Sequence, residues 1–109
     1  MNRKDAIASA YAYFDDGQFL NDLKRRVSIR SESQKPDSRP SLDQYLNEEM
    51  IPAFNAMGHD CQVFENPVKG KGPVLLATRI EDESLPTVLG YGHGDVIRGL
   101  EDQWLDGLN

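Results

Sequence analysis

His93 stands between two glycines, and Asp95 follows it by two residues, in the run Val88-Leu89-Gly90-Tyr91-Gly92-His93-Gly94-Asp95-Val96. In extended chain, residues i and i+2 point to the same side, so this spacing lets the imidazole and the carboxylate face one pocket. Neutral imidazole is a good zinc ligand, and a carboxylate on its other ring nitrogen is the usual device that steers it. The chemistry suggested is metal ligation, with His93 as the ligand and Asp95 as its orienting catalytic partner. Gly92 and Gly94 remove side chains where substrate or metal must come close to backbone. The apolar residues 87–89 just before them read as a short buried strand, and ligands collect at the carboxyl ends of strands in α/β sheets. Two other readings attach to the same residues. One is a plain tight turn; the other is a nest of glycine-flanked N–H groups for an anion. The nest lacks both the helix that should follow the loop and the usual Lys or Arg.

The elements that must position this run are legible from periodicity. Residues 3–15 place Ala6, Ile7, Ala10, Tyr11 and Phe14 at three- and four-residue spacing, the stripe of an amphipathic helix, ended by Asp15-Asp16-Gly17. A second helix carries Phe19, Leu20, Leu23 and Val27 on one face and leads into Ser28-Ile29-Arg30-Ser31-Glu32-Ser33. Residues 31–40, with two prolines and three serines, read as a surface linker. Ser41 and Gln44 form a capping-box pattern at the start of a third helix, with Leu42, Leu46, Met50, Phe54 and Met57 along one side. Pro52 is expected to bend it, and Gly58 to stop it. Cys61 and Val63 alternate with Gln62 and Phe64, as in a half-buried strand. Residues 74–81 form a strand with an apolar centre, and the acidic turn Glu81-Asp82-Glu83-Ser84 returns the chain to the strand at Thr87. That connection is too short for a crossover helix, so residues 74–91 read as an antiparallel hairpin. The expected sheet thus has three strands, at roughly 60–65, 74–81 and 87–92.

Bulk properties narrow the function classes. The chain has 109 residues, enough for one domain with a modest core, and 39% of them are hydrophobic against 28% charged. A net charge of −6 argues against nucleic acid, because phosphate neutralisation needs a basic face. The densest basic cluster, Lys24-Arg25-Arg26, reads as a solvated helix face. No apolar stretch reaches membrane-spanning length, and residues 1–25 lack a signal-peptide pattern. Cys61 is the single cysteine, which suits a reducing compartment. A cytoplasmic location is the expectation. His59, just past the helix stop, reads as a capping or surface residue and not as a ligand.

The strand followed by Gly-His-Gly-Asp-Val (92–96), and then a loop with Trp104 before Gly107-Leu108, resembles the family of co-catalytic zinc aminoacylases, acetylornithine deacetylases, succinyl-diaminopimelate desuccinylases and carboxypeptidases. The Ser-x-Ser turn at 31–33 and the order of helices before a hairpin are also similar to the opening of that family's catalytic domain. The resemblance is specific at residues 87–96. It implies that His93 ligates one metal and that Asp95 fixes its ring. It further implies an α/β fold, the N-terminal part of a three-layer α/β/α catalytic domain, acting on a dipeptide or an N-acyl amino acid with two zinc ions.

The rest of the family's site has no counterpart here. A bridging aspartate in a Gly-Arg-Gly-x-x-Asp segment, a Glu-Glu pair whose first member is the general base, a further acidic ligand and a late histidine are all missing. The expectation is therefore that residues 1–109 are an incomplete N-terminal portion of a zinc-dependent amide or peptide hydrolase. Such a piece should be inactive by itself, bind zinc weakly and self-associate, with residues 98–109 as a poorly anchored loop. The contrasting expectation is a small non-enzymatic α/β interaction module in which the Gly-His-Gly-Asp segment is only a turn.

Overall fold

Two helices open the chain in the structure, a computed structural model that describes residues 2–107. Helix α1 (Arg3–Asp15) starts at a capping box. The Asp5 N–H donates to Asn2 Oδ1 at 3.0 Å, and the Asn2 N–H donates to Asp5 Oδ2 at 3.2 Å, so two otherwise orphaned donors are satisfied. Helix α2 (Gln18–Val27) folds back on it, and the Phe14 and Phe19 rings meet at 5.7 Å. Both helices lie where the three- and four-residue spacing places them.

The third helical segment departs from expectation in two ways. It begins at Arg39, so Ser41 and Gln44 lie inside helix α3 (Arg39–Gln44) and form no capping box. Pro40 occupies the first turn, where its missing N–H costs nothing and its fixed φ suits the helix. Pro52 does not produce a simple bend either. A π-helical segment, Tyr45–Met50, precedes it, and helix α4 (Ile51–Ala56) continues on the far side. The Ile51 N–H reaches Leu46 O, five residues back. The widened turn gives the proline ring the room that an α-helical carbonyl would deny it. Gly58 (φ 80°) ends the helix as its position suggests.

The sheet has two strands, not three. Strands β1 (Asp60–Phe64) and β2 (Val74–Thr78) pair antiparallel, with Gln62 opposite Leu76. The expected hairpin over residues 74–91 is absent. The Asp82–Ser84 turn leaves residues 87–92 extended and unpaired, with Val88 and Leu89 90% and 88% exposed. The competing partner lies elsewhere. Val96 bridges to Glu32 in parallel, and its N–H donates to Ser31 O at 3.0 Å, so the end of this segment is drawn to the Ser-x-Ser turn and away from β2. The structure is therefore mixed helix with a small antiparallel sheet.

Polar contacts hold the helices together. Glu49, 8% exposed, sits in the π-segment and takes a two-pronged grip from Arg25 of α2, Nε to Oε1 at 2.8 Å and one terminal nitrogen to Oε2 at 2.9 Å. Arg25 also reaches Asp22, which accepts a 2.5 Å hydrogen bond from the Tyr13 hydroxyl. The solvated-face expectation for Lys24-Arg25-Arg26 therefore needs correction at Arg25. Tyr13 foremost, with Arg25, holds the Asp22 carboxyl below its ordinary value. Lys35 and the Gly99 N–H do the same for Glu32, and Arg39 for Glu65. Because these pKa values are depressed on folding, their contribution is present above the ordinary values of 3.8 for Asp and 4.5 for Glu and is lost as pH falls through the folded ones. Helical circular dichroism is expected to hold steady from neutral pH to about 5 and to decline below it. A signal as strong at pH 2 as at pH 7 contradicts this.

Apolar burial is the feature the chain lacks. Among the described residues no hydrophobic side chain is buried; the buried ones are Ser31, Ser38 and Glu49. The accessible surface is 9448 Å², against roughly 6,100 Å² for a compact monomer of this mass. The radius of gyration is 17.2 Å, where about 13 Å is usual. Ile7, Ala10, Tyr11 and Phe14 line an open apolar depression on α1. Exposed apolar area on this scale drives association, as does an unpaired strand edge. Light scattering is expected to report dimers or larger species that grow with concentration, and a monodisperse monomer at high concentration overturns that. Among the described residues no helix is long and apolar enough to cross a membrane.

Candidate metal-ligand site

His93 and Asp95 lie side by side. The His93 Nδ1 is 3.2 Å from Asp95 Oδ1 and 3.2 Å from the Asp95 main-chain oxygen. Both neighbours are acceptors only, so in the neutral ring Nδ1 carries the proton and Nε2 carries the lone pair. The His93 side chain is 71% exposed, which leaves that lone pair accessible. The ring is thus presented to solvent with its second nitrogen already engaged.

Asp95 is itself held. The Ser33 hydroxyl donates to Asp95 Oδ2 at 2.5 Å. This bond, more than the contact with His93, pulls the Asp95 carboxyl below its ordinary range, because a hydrogen bond to the ionised form favours it. Ser31, 2% exposed, donates through Oγ to Gly94 O at 2.9 Å and accepts from the Val96 N–H through its main-chain oxygen. Residues 31 and 33 therefore hold residues 94, 95 and 96 at three points. The expectation of a surface linker for 31–40 is corrected at these two serines. The signal was present in the Ser-x-Ser spacing, which puts alternate hydroxyls on one side of an extended turn.

The two glycines have different reasons. A Cβ on Gly94 would stand 2.1 Å from Tyr45 Cε1, so the close approach is to the π-segment and not to a ligand. A Cβ on Gly92 would meet nothing within 4 Å; no structural requirement for glycine is visible there. Tyr45 is the other residue at this site that sequence reasoning passed over. Trp104 donates from Nε1 to Gly99 O at 2.6 Å, closing a short 3₁₀ turn at Glu101–Gln103. The Gly99 N–H donates in turn to Glu32 Oε1 at 3.3 Å. The end of the expected loop, Leu108 and Asn109, lies outside the described residues. His59 stacks edge-on against Phe54.

As a metal site the arrangement is partial. His93 has the geometry of one ligand with an oriented ring, yet among the described residues no three His, Cys, Asp or Glu side chains converge. A structural zinc takes four protein ligands and a catalytic one about three. Beside the site, Ser33 also lines an open cleft of about 440 Å³ with Lys35, Lys69 and Lys71. Lys35 pairs with Glu32 at 2.6 Å, while Lys69 and Lys71 have no carboxylate partner among the described residues. Comparison with protein-family models, with curated proteins and with solved structures returns no match. The family resemblance rests on the sequence alone, on residues 87–96 with the Ser-x-Ser turn, Trp104 and the order of elements beside them.

Proposed function

We propose that residues 31–33 and 93–96 are the first-ligand half of a zinc site in a hydrolase of amide or peptide bonds, with a dipeptide or an N-acyl amino acid as substrate. The observation that carries this reading is the His93 imidazole, held through Nδ1 by Asp95 at 3.2 Å with Nε2 open. Zinc, when bound, supplies Lewis-acid polarisation of the scissile carbonyl and a water of lowered pKa. The residues of this chain do the preparatory work. His93 offers the lone pair, Asp95 keeps the proton on the far nitrogen, and the serines hold Asp95. The cleft lined by Lys69 and Lys71 suits the carboxylate of such a substrate, since neither lysine has a carboxylate partner among the described residues.

This reading places the chain within a larger three-layer α/β/α domain, with further ligands and the general base supplied by other segments. Two features support it. The described residues bring one ligand where about three are needed, and the apolar faces are left uncovered. By itself the 109-residue chain is then inactive and a weak zinc binder. The coding sequence on either side tests the proposal. A continuous frame leading into a Gly-Arg-Gly-x-x-Asp segment and a Glu-Glu pair supports it, and a frame without them removes it.

The uncovered apolar faces also favour a second reading, a non-enzymatic interaction module. Zinc titration followed by NMR of the His93 ring separates the two. Saturable perturbation at Nε2 supports the half-site, and no response at millimolar zinc supports the module.

A further inference from the structure

A ligating histidine usually gives its other ring N–H to a carboxylate, a backbone carbonyl or a water. Here the carboxylate is steered in turn. Asp95 is on a segment that a single bridge, Val96 to Glu32, ties to the rest of the chain, and its side chain is 41% exposed. A carboxylate so placed has rotamer freedom and water as a competing partner, and by itself it would hold an imidazole poorly. What restrains it comes from more than sixty residues earlier in the chain, where Ser33 Oγ meets Oδ2 at 2.5 Å. The main chain around it is fixed by Ser31, through the 2.9 Å bond to Gly94 O and the 3.0 Å bond from the Val96 N–H. Ser31 is the least exposed of the buried residues, so these two bonds are shielded from water and form the fixed end of the device.

The geometry points to Ser33 as a positioning residue that sets the tautomer of His93. With Oδ2 engaged by the serine hydroxyl, the carboxylate plane is fixed and Oδ1 is left facing Nδ1. A proton on Nδ1 is then favoured, and the lone pair falls on Nε2, the nitrogen exposed to solvent. If Asp95 were free to turn, only its main-chain oxygen, also 3.2 Å from Nδ1, would still favour that proton, and the bias toward Nδ1–H would weaken. No chemical step is involved: Ser33 acts on Asp95, and Asp95 acts on the ring. The assignment rests on the half-site reading for its purpose, but not for its measurement, which requires no metal.

The test is long-range proton–nitrogen NMR of His93 in the 109-residue chain, at a pH where the imidazole is neutral. Wild type is expected to show the Nδ1–H tautomer in excess by about tenfold, the size that a hydrogen bond to a charged group gives. Ser33→Val should bring the two tautomers to within about threefold of each other, because the hydroxyl that fixed the carboxylate is gone. Ser33→Thr, which matches valine in shape and keeps the hydroxyl, should restore the wild-type ratio. The Val96 amide, bonded to Ser31 O, should exchange slowly in all three proteins, which shows that the backbone grip persists. The proposal is overturned if wild-type His93 carries its proton on Nε2, or if the Val and Thr variants share one tautomer ratio. An intact Nδ1–H tautomer with no zinc response removes the zinc reading alone, and an unbiased ring that still binds zinc removes only the role of Ser33.

Discussion

On the proposed half-site, His93→Ala is expected to abolish zinc-dependent hydrolysis and Asp95→Ala to weaken it by about 10–100-fold, the usual loss when the partner of a ligating histidine is removed. The experiment belongs in a protein that supplies the remaining ligands. The two losses differ in kind. Alanine at 93 removes a coordinate bond, and within residues 1–109 the one other histidine, His59, stacks on Phe54 instead. Alanine at 95 leaves the ligand in place but frees the ring, so the metal binds with the wrong nitrogen protonated part of the time. Metal content by mass spectrometry and turnover of an N-acyl amino acid or dipeptide give both numbers. A His93→Ala protein that kept wild-type metal and activity would remove the central claim.

The second large effect is at Gly94. Its φ is not among the positive ones, so alanine is allowed by the backbone, and the cost of Gly94→Ala is steric. The added Cβ would stand 2.1 Å from Cε1 and 2.7 Å from Cζ of Tyr45. Either the tyrosine ring turns out of its place on the π-segment or residues 94–96 lift off the serine turn. Overpacking of this kind costs about 1–3 kcal/mol, to be read from urea denaturation. Tyr45→Ala in the same chain should recover most of the loss, because it vacates the space. Gly92→Ala, with nothing within 4 Å, should be close to neutral. Equal behaviour of the two glycine variants would show that the Tyr45 contact does not matter.

Where the sequence was legible, the determinants were local. The α1 stripe and its Asp-Gly end lie within a few turns, and the alternation of Cys61 and Val63 marks β1 within five residues. Residues 87–92 were misread because an apolar run looks the same whether or not another strand accepts it. That choice was made at Val96 by Ser31 and Glu32, more than sixty residues earlier in the chain. The Ser41 capping pattern failed through competition from Pro40, the residue just before it and an equally good helix start. At the candidate site the His-x-Asp spacing was readable, since i and i+2 share a side in extended backbone. Ser33 and Tyr45 were not, because each meets the site through a long-range contact that no window of sequence contains.

The π-segment has a consequence for how tolerant the chain is to insertion and deletion. From Arg39 to Ala56 the helical run is one shaft with contacts on several sides. Arg39 grips Glu65, Tyr45 lies against Gly94, Glu49 takes Arg25, and Phe54 meets the ring of His59. Each α-helical residue advances the azimuth by about 100°. A π-turn carries about one residue more than an α-turn over the same rotation, so deleting a single residue between Tyr45 and Met50 would let the shaft relax to an ordinary helix with its two ends close to their present azimuths. Deleting one from α3 or α4, which have no such extra residue, would instead rotate the two ends by about 100° relative to each other. Arg39 and Phe54 could then no longer meet their partners together. The extra residue of the π-segment is thus slack in the phase of the shaft, and a single codon lost there is expected to do less harm than one lost from α3 or α4.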